Sequence, residues 1–313
     1  MKAKFWGVRG SIPTPLTSDK LKSRVAAIVQ RIRPQDLEGP ESREAFLATL
    51  PPYLFGTIGG NTTCFELLTD DGSIIIVDAG SGIRELGVDL LKRRNHSKEI
   101  HILFTHFHYD HLQGLPFFGP ALSRGYTIHF YSPKRNFESY VRDHMQAPYF
   151  PVPMDILPAE YKFHVLQKPS ISIGDTKITW NIMKHPQEAY SYRFKNNGKI
   201  AIFSTGSEVT EREFKHTDEN KAYFEAVDFL ALDSQYTLEE SINKIDWGHS
   251  SYSMAVDLAV QWRIKILALF HHEPMYDDKK ILGILRSARW YASHLENHDT
   301  KVVLAIEGAE YAI

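Results

Sequence analysis

The chain has 313 residues, enough for one large domain or two small ones, and is 43% hydrophobic and 24% charged, as soluble globular enzymes are. Lys plus Arg number 36 against 38 Asp plus Glu, a formal charge of −2. That balance excludes a nucleic-acid binder held by bulk charge and leaves room for a small phosphorylated substrate met by local positive charge. The single cysteine, Cys64, excludes an internal disulfide and fits a reducing, cytoplasmic setting. No apolar run approaches the ~18 residues of a membrane-spanning helix, so no membrane partner is expected. Met1–Val8 is too short, and too broken by Trp6-Gly7, to be a signal peptide.

In chain order, Lys2–Val8 predicts a first strand, followed by the punctuated loop Arg9–Pro15. Two readings of that loop stand side by side: a turn, or a segment that brings Arg9 and Ser11 to a functional pocket. Residues 17–50 have a different texture. Thr17 or Ser18 can cap a helix to about Arg33, with Leu21, Val25, Ile28 and Ile32 on one face, and Pro34 stops it. A second short helix fits Glu41–Leu50. We expect this piece to be a helical insertion packed on the main fold. Gly56–Thr63 is glycine-rich but lacks the lysine and spacing of a P-loop, so nucleoside triphosphates are not indicated. Strands then fit Cys64–Leu68 and Ser73–Val77, joined by the Asp71-Gly72 turn. The second ends in Asp78-Ala79-Gly80-Ser81-Gly82, before a helical pattern from Ile83 to Arg94. Asp78 there can orient a neighbouring ligand histidine or belong to the helix start; the two roles are compatible.

The apolar run Ile100–Phe104 predicts a buried strand, and it leads directly into His106-Phe107-His108-Tyr109-Asp110-His111. Four ligand-type residues occupy six positions at a strand end. An extended backbone points His106 and His108 the same way, and the following turn can bring Asp110 and His111 to the same pocket. Imidazole and carboxylate without thiolate suit zinc, manganese or iron, not a cysteine-type structural zinc.

Further on, helices are predicted at Pro116–Arg124 and Asn136–Met145, around a strand at Thr127–Tyr131. Ala147–Met154 clusters aromatics and prolines without helical period; it reads as an ordered loop, either a wall over the pocket or packed surface. The second half repeats the texture of the first. Strands fit Phe163–Leu166, Lys177–Met183, Tyr190–Phe194 and Lys199–Phe203, with His185 at one strand end as a natural third imidazole. A helix is predicted from about Val209 to Ala226, and a strand at Asp228–Leu232. Trp247-Gly248-His249-Ser250-Ser251 opens a helix to about Trp262. A strand at Ile264–Phe270 runs into His271-His272-Glu273-Pro274. A helix from about Asp278 to Leu295 and a strand at Lys301–Ala305 finish the pattern. No Pro-, Gly- or Ser-rich linker divides the halves, so a single α/β domain over 1–313 is expected.

The His106–His111 motif, with later ligands at strand ends, resembles the metallo-β-lactamase superfamily of hydrolases. The segments FWGVRGSIPTP, GGNTTCFEL, VDAGSGIRELG, APYFPVP, WGHSS and LFHHEP together resemble a narrower bacterial branch related to cyclic-nucleotide phosphodiesterases and the transfer-RNA 3′-processing nuclease. They span most of the chain outside the insertion. The resemblance implies a four-layer αββα sandwich with the site at one edge of two sheets, and one or two divalent metal ions (Zn, Mn or Fe). His106, His108 and His185 resemble the ligands of one metal; Asp110, His111 and His271 resemble those of the second, with His272 the alternative in the doublet. Asp78 resembles the aspartate behind the ligands. His249 resembles the histidine that contacts the scissile phosphate and protonates the leaving group, unless it only caps its helix. One departure stands out: the family's metal-bridging aspartate falls at Gly206. Lower occupancy, compensation by Glu208 or water, or an impaired variant would each follow from that loss, and a weaker second site is the outcome we expect.

The expectation is therefore hydrolysis of a phosphodiester, such as a small or cyclic nucleotide, by a metal-activated water, with Asp110 and His249 handling protons. Competing readings are an ester, thioester or lactone hydrolase, and a nucleotide-binding module disabled by Gly206. A homodimer is common among such relatives, although no interface signature stands out.

Overall fold

The computed structural model describes residues 1–296 and 299–313. Alternation writes the first strand: in β1 (Lys2–Gly7), Ala3 and Phe5 are buried while Lys2 points to solvent. It is followed in the first sheet by β2 (Cys64–Leu68), β3 (Ile74–Val77), β4 (Glu99–Leu103), β5 (Thr127–Ser132) and β6 (Glu160–Val165). The second sheet is built from β7 (Ile171–Ile173), β8 (Thr176–Met183), β9 (Ala189–Asn196), β10 (Lys199–Ser204), β11 (Phe229–Asp233), β12 (Ile266–Phe270) and β13 (Lys301–Leu304). A last strand, β14 (Glu310–Ala312), returns to the outer edge of β1. The sheets share one plan. In β14-β1-β2-β3-β4-β5-β6 the first three pairings are antiparallel and the last three parallel. The order β7-β8-β9-β10-β11-β12-β13 does the same.

The sheets face each other across an aromatic core. Phe5 stacks on Phe270 with ring centroids 5.6 Å apart, and Phe65 on Phe203 at 4.8 Å. Ile75 and Val77 of β3 join this inner core, whereas Ile74 and Ile76 face the other way, toward helices. Ten helices complete the described chain: α1 (Ser18–Val29), α2 (Pro40–Thr49), α3 (Pro52–Phe55), α4 (Ile83–Lys92), α5 (Phe137–His144), α6 (Glu211–Phe214), α7 (Asp218–Phe224), α8 (Leu238–Ile242), α9 (Tyr252–Gln261) and α10 (Asp278–Ala292). Helical spacing puts Ile83, Leu86 and Leu90 on one face of α4, which packs on the first sheet. Ala255, Leu258 and Ala259 of α9, with Ile281 and Ala288 of α10, cover the second. The result is the αββα sandwich, and both sets of parallel strands carry their carboxyl ends to one edge.

Several expectations are corrected. The first insertion helix ends at Val29, not near Arg33, and no residue of it is buried. Leu21 and Val25 remain 53% and 51% exposed. Thr17 caps it as expected, but its tie to the body is polar: Arg24 donates to Gly56 O and pairs with Asp278 at 2.6 Å. The helix expected over 209–226 is two short ones, because Thr210 and Thr217 each accept a bond from the backbone ahead and start a separate turn. Residues 116–124 form tight 3₁₀ turns around Gly119-Pro120. Strands β7 and β14 were not anticipated. No described helix is long and apolar enough to cross a membrane.

Candidate metal centre

Strand β4 ends at Leu103, and three residues later His106 enters the edge of the sandwich. The segment is fixed from beneath by Asp78, which follows β3 and is fully buried. Its carboxylate accepts from Thr105 N at 2.8 Å, from Thr105 Oγ1 at 2.7 Å and from His111 Nδ1 at 2.8 Å. The bond from Nδ1 to Asp78 fixes the His111 ring and leaves its enclosed Nε2 facing inward, toward Asp110.

Three triads of donor atoms form, each within 4.8 Å: His106, His108 and His185; Asp110, His111 and His271; and, sharing His271 with the second, Asp233, His249 and His271. In the first, the His106 and His108 rings meet edge to face at 4.7 Å, and His185 approaches both at 4.5 and 4.7 Å. His185 Nε2 is enclosed and unpartnered. In the second, Asp110 Oδ2 lies 3.3 Å from His111 Nε2 and 3.2 Å from His271 Nε2, and accepts from the Ser11 backbone N–H at 2.8 Å. The doublet is separated by geometry: His271 enters the cluster, while His272 Nε2 bonds Ala305 O at 2.9 Å, outside all three triads. Of the loop residues Arg9 and Ser11, only Ser11 reaches this centre. Arg9 is buried elsewhere, donating to Gly59 O and Tyr276 O and pairing with Asp278.

Electrostatics divide the imidazoles. Burial and neighbouring histidines hold His106 well below its usual range, and bring His185 down to about 3. Both are neutral at pH 7; His185 Nε2 has no partner, and His106 Nε2 lies 3.2 Å from His108 Nδ1. Burial also opposes charge on His111, but Asp110 and Asp78 outweigh it and lift its pKa to about 10. Burial would raise Asp110; His111 and His271 hold it well below the carboxylate range. Six oxygen and nitrogen donors without thiolate, with imidazole nitrogens left unpartnered inside the cluster, fit divalent metal ions.

Asp233 is the residue that sequence reasoning passed over. It ends β11, is fully buried, and accepts from His249 Nδ1 at 2.7 Å and Gly206 N at 3.1 Å through one oxygen. The same oxygen lies 3.5 Å from His271 Nδ1. Burial pushes its pKa up, but His249 and His271 win and lower it. Its only signal was its place, a carboxylate at a strand end like Asp78. Gly248 gives His249 its approach: φ is +86°, and a Cβ there would lie 2.3 Å from the His185 ring. Gly206, also left-handed at φ +55°, would carry a Cβ 2.6 Å from His106 Cε1. Glu208 does not replace the missing carboxylate, being engaged with Lys184 at 2.7 Å and Gly248 N at 3.2 Å.

Residues 74–272 match the family model described as a beta-lactamase superfamily domain. Ribonuclease Z of Thermococcus kodakarensis is 26% identical over 254 residues, covering 66% of this chain and 76% of that protein. The metallo-beta-lactamase fold protein YhfI from Bacillus subtilis superposes with a TM-score of 0.63 at 12% identity, over 99% of this chain and 98% of its own. A diphosphatase from the PhnP family gives 0.62 at 16% identity, over 100% and 97%.

Proposed function

We propose, on the premise that this chain belongs to the beta-lactamase superfamily, that it is a metal-dependent hydrolase of phosphodiesters whose substrates are small nucleotides, cyclic forms included. The observation that carries the reading is the convergence of two donor triads beside a histidine, His249, that is oriented by a buried carboxylate. The similarity to ribonuclease Z supports phosphodiester chemistry over ester or lactone cleavage.

In this reading His106, His108 and His185 hold one divalent ion, and Asp110, His111 and His271 a second. Zinc, manganese and iron all suit these donors. Such ions, when bound, supply Lewis acidity that activates water and offsets charge on phosphoryl oxygens. The chain's own groups do the rest. Asp78 keeps His111 Nε2 turned inward. Asp110 takes a proton from the attacking water. Asp233 accepts the Nδ1–H of His249 and turns Nε2 toward the site, where the imidazolium form would give its Nε2 proton to the leaving oxygen and the carboxylate would offset the ring's charge. Gly206 offers no side-chain carboxylate to a pair of ions, so a second ion would be held more weakly. Cys64, buried and alone, accords with a cytoplasmic setting.

The test is hydrolysis of a phosphodiester panel, cyclic nucleotides included, after manganese or zinc loading and against a chelated control. Metal-dependent turnover is expected. Cleavage of carboxylic esters or lactones alone would replace the reading, and nucleotide binding without turnover would make the chain a binding module.

A further inference from the structure

A hollow of about 730 Å³ opens on the segments that carry the first triad, lined by chain neighbours of its histidines. Two of its walls continue the ligand segments: Tyr109 sits between His108 and Asp110, and Pro186, Gln187 and Glu188 follow His185. The other side comes from α5 and the loop after it, through Tyr140, His144 and Tyr149. We propose that this hollow is a nucleobase subsite, which places the base of the substrate between tyrosine rings while the scissile phosphate lies at the triads. The proposal rests on the phosphodiesterase reading and names what that reading leaves open, the part of the substrate that is recognised.

Three observations carry it. The first is aromatic surface without a partner. Tyr109 is 63% exposed and Tyr149 69% exposed. Behind them the lining is firm: the Phe107 ring lies 5.4 Å from Phe104 and 5.3 Å from Tyr140, and Tyr109 meets His144 edge-on at 5.4 Å. Flat, backed rings open to solvent bind flat π-systems. The second is charge. The lining holds one cation, Lys134, and two carboxylates, Asp143 and Glu188. Lys134 is already neutralised by Glu188 at 2.9 Å. An excess of negative charge repels phosphate, so this hollow suits the uncharged end of a nucleotide and not its phosphoryl group. The third is polar edge. The His144 imidazole and the Gln187 amide line the same space. A base supplies in-plane donors and acceptors for such groups; an acyl chain leaves them unmatched. The volume is that of a small-molecule site.

The test is calorimetric binding of adenosine, adenosine 5′-monophosphate and ribose 5-phosphate to the manganese-loaded protein. The monophosphate should bind at least about tenfold more tightly than ribose 5-phosphate, the worth of one stacked base. Tyr140→Ala combined with Tyr149→Ala should lose about that factor for the monophosphate and for adenosine, with metal content unchanged. Tyr149→Phe, which keeps the ring, should retain it. Equal affinity for the monophosphate and ribose 5-phosphate, or undiminished adenosine binding in the double variant, would overturn the subsite. The two readings fail separately. Phosphodiester cleavage indifferent to the base removes the subsite and leaves the hydrolase. Tyrosine-dependent adenosine binding without any cleavage keeps the subsite and removes the hydrolase.

Discussion

The two half-sheets share one strand plan but present their chemistry differently. In the first, the donors are bunched: four of them follow β4 within six residues, and one buried carboxylate, Asp78, braces both Thr105 and His111. In the second, they are scattered over three strand ends and a loop, as His185, Asp233, His249 and His271, each held by its own neighbours. Left-handed residues mark both edges. Asp78 stands at φ 62° after β3, and Gly206 at 55° after β10. The first edge places a carboxylate at that turn. The second places none, and Asp233 from the adjoining strand reaches back to the Gly206 N–H instead. The first half supplies bunched donors on one brace; the second adds one donor to each of the first two triads, His185 and His271, together with the individually oriented pair Asp233 and His249.

That division can be broken. Removing His249 should cut turnover by roughly 10²–10⁴, the worth of a positioned proton donor, with metal content intact. Equal loss of metal and activity, measured by metal analysis beside kinetics, would put His249 in the metal-holding set. Asp78→Asn should lower metal affinity about 10–100-fold through misdirected His111, seen in a metal titration. An Asp78 variant with normal metal content would dissolve the contrast from the other side.

The same contrast is sharpened by pH. His111 has its pKa raised to about 10 without metal, so at neutral pH it carries a proton that an incoming cation must displace. Affinity at the second triad should therefore rise with pH, about tenfold per unit below that value for one proton released. The first triad, with His185 near 3, should show no such slope through neutrality. Calorimetry in buffers of different ionisation heat separates the two. Gly206→Asp should not raise metal content, because its Cβ falls 2.6 Å from His106 Cε1. A rise to two tightly held ions per chain would show that the His106 ring yields. The smallest effect belongs to the insertion: Leu21→Ser and Val25→Ser should each shift stability by less than about 0.5 kcal/mol in denaturant titration, since neither side chain is buried.

What was legible in the sequence follows the same line. The bunched donors could be read directly, because four ligand-type residues within six positions seldom gather by chance. His185 was read because that cluster asked for a third imidazole; His271 came from the resemblance and from its place directly after a strand. Asp233 was not read, since a lone aspartate before Ser234 at a strand end reads equally as helix punctuation, and only the fold brings it to His249. The contact of Ser11 with Asp110 is a backbone N–H, and leaves no trace in side-chain identity. The layers were legible from apolar runs. The 209–226 region was misread as one helix because two threonine caps compete locally with a continuous apolar period. In the insertion, the helical spacing of Leu21 and Val25 reads as a packed face, yet both stay exposed, and Arg24 ties the helix to Asp278 instead.

The return of β14 to β1 bears on how such a protein is made. Lys2 pairs with Ala312 and Lys4 with Glu310, near the widest separation in sequence this chain allows. Until residue 312 has left the ribosome, β1 keeps an open row of peptide groups on that side, where another nascent chain can add a strand. The second triad waits as well, because His271 arrives long after Asp110. Ribosome-bound chains halted before residue 300 are thus expected to be the aggregation-prone species, and the β1 amides that face β14 should gain protection from hydrogen exchange only once β14 has emerged, after those that face β2.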